Sequence, residues 1–335
     1  MTRIGFATGY SPDMNVQKMA AWMQKADERG YEIGFFSETA NVMRDSVSTL
    51  AAFAIATKKM KIGCTQVVRH RSPLLQAQTL ATLDELSEGR LILSPGACTK
   101  NHAIQNSLEP EDPALTLREY VKALRMLVSG EKNIRWTGET IKLEGVGLSW
   151  TPYRTSIPMW IAATSRTGLR IAGEIGDGVL LNAVTSPEYI RNAVQICKEA
   201  CEAAGRDWGK FEVACLVVTS VEDGRDEALD AVRWEVASKF KRIPSGLIGQ
   251  RIRVGDSNIH EEDLPKLQEA MKKGGEELLA RTLPLSYIEN LTASGTPQEV
   301  LDRIEKYRGA GVTLPIVRPA QPHQGESLMA LLAPK

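Results

Sequence analysis

The chain has 335 residues, and its 41 lysines and arginines match its 41 aspartates and glutamates, so the formal net charge is zero. That balance lacks the basic surplus of a dedicated nucleic-acid binder, and the length suffices for a large core without disulfides. The longest apolar run, about seven residues from Leu50 to Ala56, is far short of the roughly 20 that span a bilayer, and the N-terminus has no signal-peptide pattern, so a soluble cytoplasmic protein is expected.

Short β-rich runs alternate with amphipathic helices. The first run is Ile4 to Thr8, and the helix after it carries Val16, Met19, Met23 and Ala26 on one face, with Gly30 closing it. The second run, Ile33 to Ser37, precedes a helix bearing Val47, Leu50, Ala51, Ala54 and Ile55. The third, Lys61 to Val68, leads through the cap Ser72-Pro73 into a helix ending at Leu86. The fourth, Leu91 to Ser94, is followed by a glycine-containing loop and then a helix with Leu117, Tyr120, Val121, Leu124, Leu127 and Val128. Residues 134–143 around Thr137-Gly138 read as a hairpin.

The fifth run is Met159 to Ala163, with a helix ending near Gly176. The sixth, Val179 to Asn182, precedes a helix opened by Ser186-Pro187, whose stripe includes Cys197 and Cys201. The five cysteines are scattered, so this pair reads as core rather than as a metal or disulfide site. The seventh run is Val213 to Val218. A capping box from Thr296 to Glu299 opens the last helix before the eighth run, Val312 to Val317. Eight strands with helical crossovers predict an α/β fold, a (β/α)8 TIM barrel, as one domain over 1–335. A polar helical insertion over roughly 225–292 precedes the last unit. Its basic residues Lys239, Lys241, Arg242, Arg251 and Arg253 read as a solvated face, or else as a seat for a polyanionic tail.

Reactive groups of such barrels gather at the C-terminal strand ends. Here these are Thr8, Ser37-Glu38-Thr39, Thr65-Gln66, Ala97-Cys98-Thr99-Lys100, Ala163-Thr164-Ser165-Arg166, Asn182 and Arg318. The set is hydroxyl-rich, with Glu38 the one carboxylate and no histidine. It offers neither the two carboxylates of a glycosidase nor a Ser-His-Asp triad, which points to chemistry carried by a bound cofactor. The loop from Ala162 to Gly168 joins a strand to a helix N-terminus and suits a phosphate; a plain capped helix start reads equally well. Glu38 reads either as a reactive carboxylate or as one paired with a cation such as Arg44.

The segments Gly30-Tyr31-Glu32-Ile33-Gly34-Phe35-Phe36-Ser37-Glu38, Arg71-Ser72-Pro73, Ala81-Thr82-Leu83-Asp84-Glu85-Leu86-Ser87-Glu88-Gly89-Arg90, Pro158-Met159-Trp160-Ile161-Ala162-Ala163, Ala172-Gly173-Glu174-Ile175-Gly176-Asp177-Gly178-Val179 and Ser294-Gly295-Thr296-Pro297-Gln298-Glu299-Val300 resemble, in content and order, the luciferase-like flavin and deazaflavin oxidoreductases. Within them the chain is most similar to the methylenetetrahydromethanopterin reductase branch, which uses coenzyme F420. The resemblance implies an insertion-bearing, homodimeric barrel that moves a hydride between the deazaflavin and a small organic substrate. It places the cofactor phosphate on Ala163, Thr164 and Ser165, and the ring beside Ser37, Thr65, Gln66, Cys98 and Thr99, with Asn182 nearby. Glu38 is the expected acid, base or ring-tuning group. Two departures set the chain apart from that branch: Glu38-Thr39 stands where Asp-His is common, and the first strand, Gly5-Phe6-Ala7-Thr8, has no acidic residue. The resemblance also admits an FMN-dependent monooxygenase fed by a separate reductase, and a flavin-binding protein without turnover.

Overall fold

The computed structural model describes residues 2–8, 11, 13–38, 42–241 and 246–334; Thr39 and Arg242, named above, lie outside them. The chain runs β1 (Gly5–Ala7), α1 (Val16–Glu28), β2 (Ile33–Ser37), α2 (Ser46–Ala56), β3 (Lys61–Val67), α3 (Pro73–Leu86) and β4 (Leu91–Gly96). Next come α4 (Lys100–Gln105), α5 (Pro113–Val128) and a hairpin of β5 (Ile134–Thr137) and β6 (Lys142–Val146). The alternation resumes with β7 (Trp160–Ala163), α6 (Arg166–Ile175), β8 (Gly178–Leu181), α7 (Pro187–Ala203) and β9 (Glu212–Val221). Four helices follow, α8 (Arg225–Lys239), α9 (Leu247–Val254), α10 (Leu264–Thr282) and α11 (Leu285–Leu291). The chain ends in β10 (Ala293–Gly295), α12 (Pro297–Gly309), β11 (Leu314–Pro319) and α13 (Gly325–Leu331).

Parallel pairing runs β11-β1-β2-β3-β4-β7-β8-β9, and β9 pairs back onto β11, which closes an eight-stranded TIM barrel. Gly5 of β1 sits between Ile316 of β11 and Ile33 of β2, so the first strand seals the ring. The period of two in each strand sorts side chains into two layers. Ile33, Phe35, Ile92, Trp160, Leu180, Ala214, Leu216, Leu314 and Ile316 pack inside the barrel. Phe6, Phe36, Ile62, Leu93, Ile161, Val179, Val213 and Val317 face outward and bury the helix stripes, including Met19, Leu80, Leu124 and Cys197.

The crossover helices begin where side chains can occupy the free N–H groups of the first turn. Ser72 caps α3, Asp112 caps α5 and Ser186 caps α7, each with proline at the next position. At α12 the Glu299 carboxylate accepts the Thr296 N–H at 2.9 Å, as the capping-box spacing requires.

Four expectations need correction. The loop after β4 contains α4, whose cap is the Thr99 hydroxyl accepting from the His102 N–H. Pro95-Gly96 reads as a turn, yet pairing with Gln66 and Val67 carries β4 through it. Ile55, expected on the buried stripe, is 76 % exposed, because α2 is apolar nearly all round and its period selects no single face. The insertion's basic residues do not share one solvated face. Arg253 and Lys241 are exposed, Lys241 in an ion pair with Glu276, whereas Arg251 is 0 % exposed and donates to the Ala183 carbonyl at 2.7 Å. Among the described residues no helix is long and apolar enough to cross a membrane.

The tightest helix contact bears on the site, because α6 carries the loop after β7. A Cβ built on Gly173 would strike the Cys197 carbonyl and lie 2.8 Å from Ala200 Cβ and 2.9 Å from the Cys201 nitrogen. Overpacking at backbone cannot relax by a rotamer change. Gly173→Ala should therefore lower stability by about 1–3 kcal/mol in urea unfolding; an unchanged midpoint would show that α6 and α7 can part without cost.

Candidate active site

The C-terminal ends of β2, β3, β4, β7, β8 and β9 surround a cavity of about 200 Å³. Ser37, Glu38, Thr65, Gln66, Ala163, Thr164 and Asn182 line it, with Ala162, Leu180 and Leu216 as apolar surface. Past the shared Gly96 and Thr164 it opens into a second cavity of about 430 Å³, bounded by Thr99, Ser165, Thr167 and Gly168 and by Asp112, Pro113 and Gln250. A flat ring joined to a phosphate tail needs this shape, a hydroxyl-lined slot that continues into a wider polar one.

The loop after β7 forms the junction. Ser165 caps α6 by accepting the Gly168 N–H at 3.2 Å, and the first intrahelical bond runs from the Leu169 N–H to the Ser165 carbonyl. The N–H groups of Arg166 and Thr167 precede that bond and lie at the positive end of the helix. Capping and anion binding are thus compatible here, since the cap uses one N–H and leaves others. The Tyr189 hydroxyl donates to the Thr164 carbonyl at 2.9 Å and fixes the loop, while Arg251 lies over the Tyr189 ring at 5.7 Å. A Cβ on Gly168 would approach Ala163 Cβ to 3.2 Å, so glycine keeps α6 close against β7.

Glu38 is the one carboxylate lining the narrower cavity among the described residues. Its Oε1 stands 3.5 Å from the Ser46 N–H and 3.9 Å from Arg71 Nη1. Its Oε2 is buried and has no hydrogen-bond partner among the described residues. The ion pair shown is with Arg71, because β2 pairs with β3 and brings the β3–α3 loop alongside. Arg71 is itself fixed by Asp45 at 2.7 Å, and the Tyr120 hydroxyl donates to its carbonyl at 2.7 Å.

Gln66 lines the cavity, but its side-chain amide is used within the protein. It accepts from Gln76 Nε2 and donates to the Ser46 hydroxyl, both at 2.7 Å. The Ser46 N–H in turn faces Glu38, so Gln66 positions the carboxylate's neighbour. Cys98 is not brought in. Its side chain is 3 % exposed, belongs to the outer core layer and lines neither cavity, its Sγ lying 3.8 Å from the Thr99 carbonyl.

Sequence reasoning missed Asp112, Gln250 and His70. His70 ends no strand, yet the β3–α3 loop places it within reach of the charges on Glu38, Arg71 and His102. Its Nε2 is buried without a partner among the described residues. The preceding Arg69 at φ 74° is the only backbone signal, one that a sequence does not display.

A model of the luciferase-like monooxygenase family matches residues 1–314. The chain belongs to that family. A 5,10-methylenetetrahydromethanopterin reductase from Archaeoglobus fulgidus is 29% identical over 317 residues, covering 92% of this chain and 91% of the relative. A second, from Methanopyrus kandleri, is 28% identical over 335 residues and covers 95% of this chain and 93% of the relative. The solved structure of the coenzyme F420 dependent tetrahydromethanopterin reductase from Methanopyrus kandleri superposes with a TM-score of 0.85 at 25% identity, covering 99% of this chain and 98% of that one. The protein is a luciferase-like flavin or deazaflavin oxidoreductase.

Burial pushes the His70 pKa below the ordinary imidazole value; the Glu38 charge opposes the shift, while His102 and Arg71 add to it. The unfolded chain therefore takes up this proton first as pH falls, so the stability tied to neutral His70 is complete above about pH 6.5 and is lost below it. Replacing His70 by Asn should flatten the fall in urea midpoint between about pH 6.5 and pH 5. An equally steep fall in the variant would exclude His70 as its source.

Proposed function

We propose that the protein is an F420-dependent oxidoreductase that transfers a hydride between the deazaflavin ring and a small organic substrate. One observation carries the reading. The hydroxyl-lined slot at the barrel mouth runs into the α6 N-terminus, in a chain that matches F420-dependent reductases over nearly its whole length. When bound, the deazaflavin would supply a two-electron hydride donor or acceptor at its ring.

The chain's own groups do the rest. Ser165, Thr164 and the N–H groups of Arg166 and Thr167 hold the phosphate, and charge-assisted bonds of that kind are about twice as strong as neutral ones. Thr65, Ser37 and Asn182 face the slot with neutral donors and acceptors, which orient a ring without fixing a charge against it. Leu180 and Leu216 bound the slot from below and keep water off that side. Glu38 holds or accepts a proton at Oε2, the oxygen left open once Ser46 and Arg71 have engaged Oε1. A substrate oxygen placed against it gains or loses its proton as the hydride moves, an assistance worth about 10²–10⁴-fold. The substrate itself is not assigned to the pterin class, since Gly5-Phe6-Ala7-Thr8 puts no acidic residue in β1.

Fluorescence titration of the cofactor-free protein with F420 and FMN tests the cofactor. F420 should bind at least tenfold more tightly, about 1.4 kcal/mol, and Ser165→Ala should weaken it about tenfold by removing the cap and a phosphate donor. A tenfold preference for FMN, with oxygen consumed on turnover, would replace this reading by a monooxygenase; tight binding without turnover would leave a flavin carrier. Once a substrate is in hand, Glu38→Gln should lower kcat by about 10²-fold or more and remove one limb of the pH–rate profile.

A further inference from the structure

The loop after β8 is held in a costly conformation. Val184 lies at φ 62°, a region that a β-branched side chain enters only under constraint. The carbonyls on either side of it are tied down. Arg251 of α9 donates from Nη2 to the Ala183 carbonyl at 2.7 Å, and the Tyr307 hydroxyl donates to the Thr185 carbonyl at 2.7 Å. Asn182, immediately before this loop, lines the narrower cavity. Its Oδ1 accepts the Ala183 N–H at 2.8 Å, so its Nδ2 group is what it can offer a ring in the slot.

The same guanidinium reaches the other wall. It lies over the Tyr189 ring at 5.7 Å, and the Tyr189 hydroxyl donates to the Thr164 carbonyl at 2.9 Å. Burial pushes the Tyr189 phenol up, and Arg251 opposes that push, which makes the O–H a stronger donor. A trans peptide sets its C=O and N–H in opposite directions. Tying the Thr164 carbonyl to the buried Tyr189 therefore turns the Ser165 N–H away from the core, on the loop that borders the wider cavity. Arg251 is fully buried, and its Nε and Nη1 have no hydrogen-bond partner among the described residues. A buried charge with two donor groups unmet is destabilising by itself; its contacts with Ala183 and Tyr189 are what it contributes.

We propose that Arg251 is a positioning residue for the cofactor. Through the Ala183 carbonyl it fixes Asn182 as an N–H donor to the ring, and through Tyr189 it fixes the Thr164–Ser165 peptide as an N–H donor to the phosphate. Arg251 lines neither cavity, so it acts through these neighbours and not by touching the cofactor. The proposal rests on the reading of the mouth as a deazaflavin site and adds that a helix of the insertion sets the geometry of both its halves. Lysine cannot take the place of this side chain, because an ammonium is a point donor without the planar face that lies on a ring while its edge donates.

Fluorescence titration and amide hydrogen exchange, each with F420 and with the ribityl deazaflavin that lacks its phosphate, test it. Tyr189→Phe should bind F420 about fivefold more weakly or worse and the phosphate-free compound as the wild type does. Equal F420 affinity, or the same loss for both ligands, would overturn the phosphate arm. Arg251→Lys should lose about fivefold or more for both ligands; unchanged affinity for the phosphate-free compound would overturn the ring arm. Should Arg251→Lys not fold, exchange in the wild type decides that arm instead. The phosphate-free compound occupies the slot, of which α9 lines no part, so it should slow exchange in α9 as well as in residues 182–186. Slowing confined to 182–186 would refute the coupling. A chain that binds neither F420 nor FMN would overturn the functional reading. Exchange without ligand would then still decide whether Arg251 and Tyr189 hold these loops: residues 163–168 should exchange faster in Tyr189→Phe than in the wild type, and equal rates would refute it.

Discussion

The whole site depends on closure of the barrel. Once β1 is paired on both sides, each of the eight strands has one inward row of side chains, and those rows can emerge only at the two ends. Leu314 and Ile316, Ala214 and Leu216, and Ile33 and Phe35 fill the interior. The next inward position up each strand must then project into the mouth. Ser37, Thr65, Asn182 and Arg318 hold that position because of their register, so neutral donors, acceptors and a single guanidinium meet in one place without any local motif to gather them.

The mouth is then differentiated around its rim. On the β7 side, the helix N-terminus, the hydroxyls of Thr164 and Ser165 and Gly168 border the wider cavity, with backbone N–H groups exposed ahead of the first intrahelical bond. On the β2–β3 side, Glu38 is held by Arg71 and Ser46, and Ser46 by the amide of Gln66, so one carboxylate oxygen is engaged and the other left open. On the β11 side, the insertion brings Glu235 into an ion pair with the inward Arg318. The insertion also reaches the other rim, where Gln250 of α9 borders the wider cavity and Arg251 is anchored beneath it at the Ala183 carbonyl. A segment that looks like a surface embellishment thus supplies walls on two sides.

The eight strands, their order and the caps Ser72, Ser186 and Thr296 were legible in the sequence, because periodicity and capping are local and the barrel only collects them. The hydroxyls of the rim were legible for the same reason, each being the residue that follows an apolar run. What sequence pattern could not show is direction. Cys98 follows a strand but turns into the outer layer. Gln66 ends a strand, but its amide is satisfied within the protein. Arg251 lies in a basic run yet points inward, because a long polar side chain on a polar helix looks the same whether its head meets water or a carbonyl. Arg71, His70 and Gln250 come from loops or from a helix remote in sequence, and strand adjacency alone makes them neighbours of the site.

The central claim is that the slot between Ser37 and Asn182 seats a deazaflavin ring with its phosphate on the α6 N-terminus. A crystal structure of the protein with F420 bound tests this most directly. The account predicts phosphate oxygens within hydrogen-bond distance of the Ser165 hydroxyl and the Arg166 and Thr167 N–H groups, with the ring between Thr65 and Asn182. A phosphate lodged away from the α6 N-terminus, or a ring outside the barrel mouth, would contradict it.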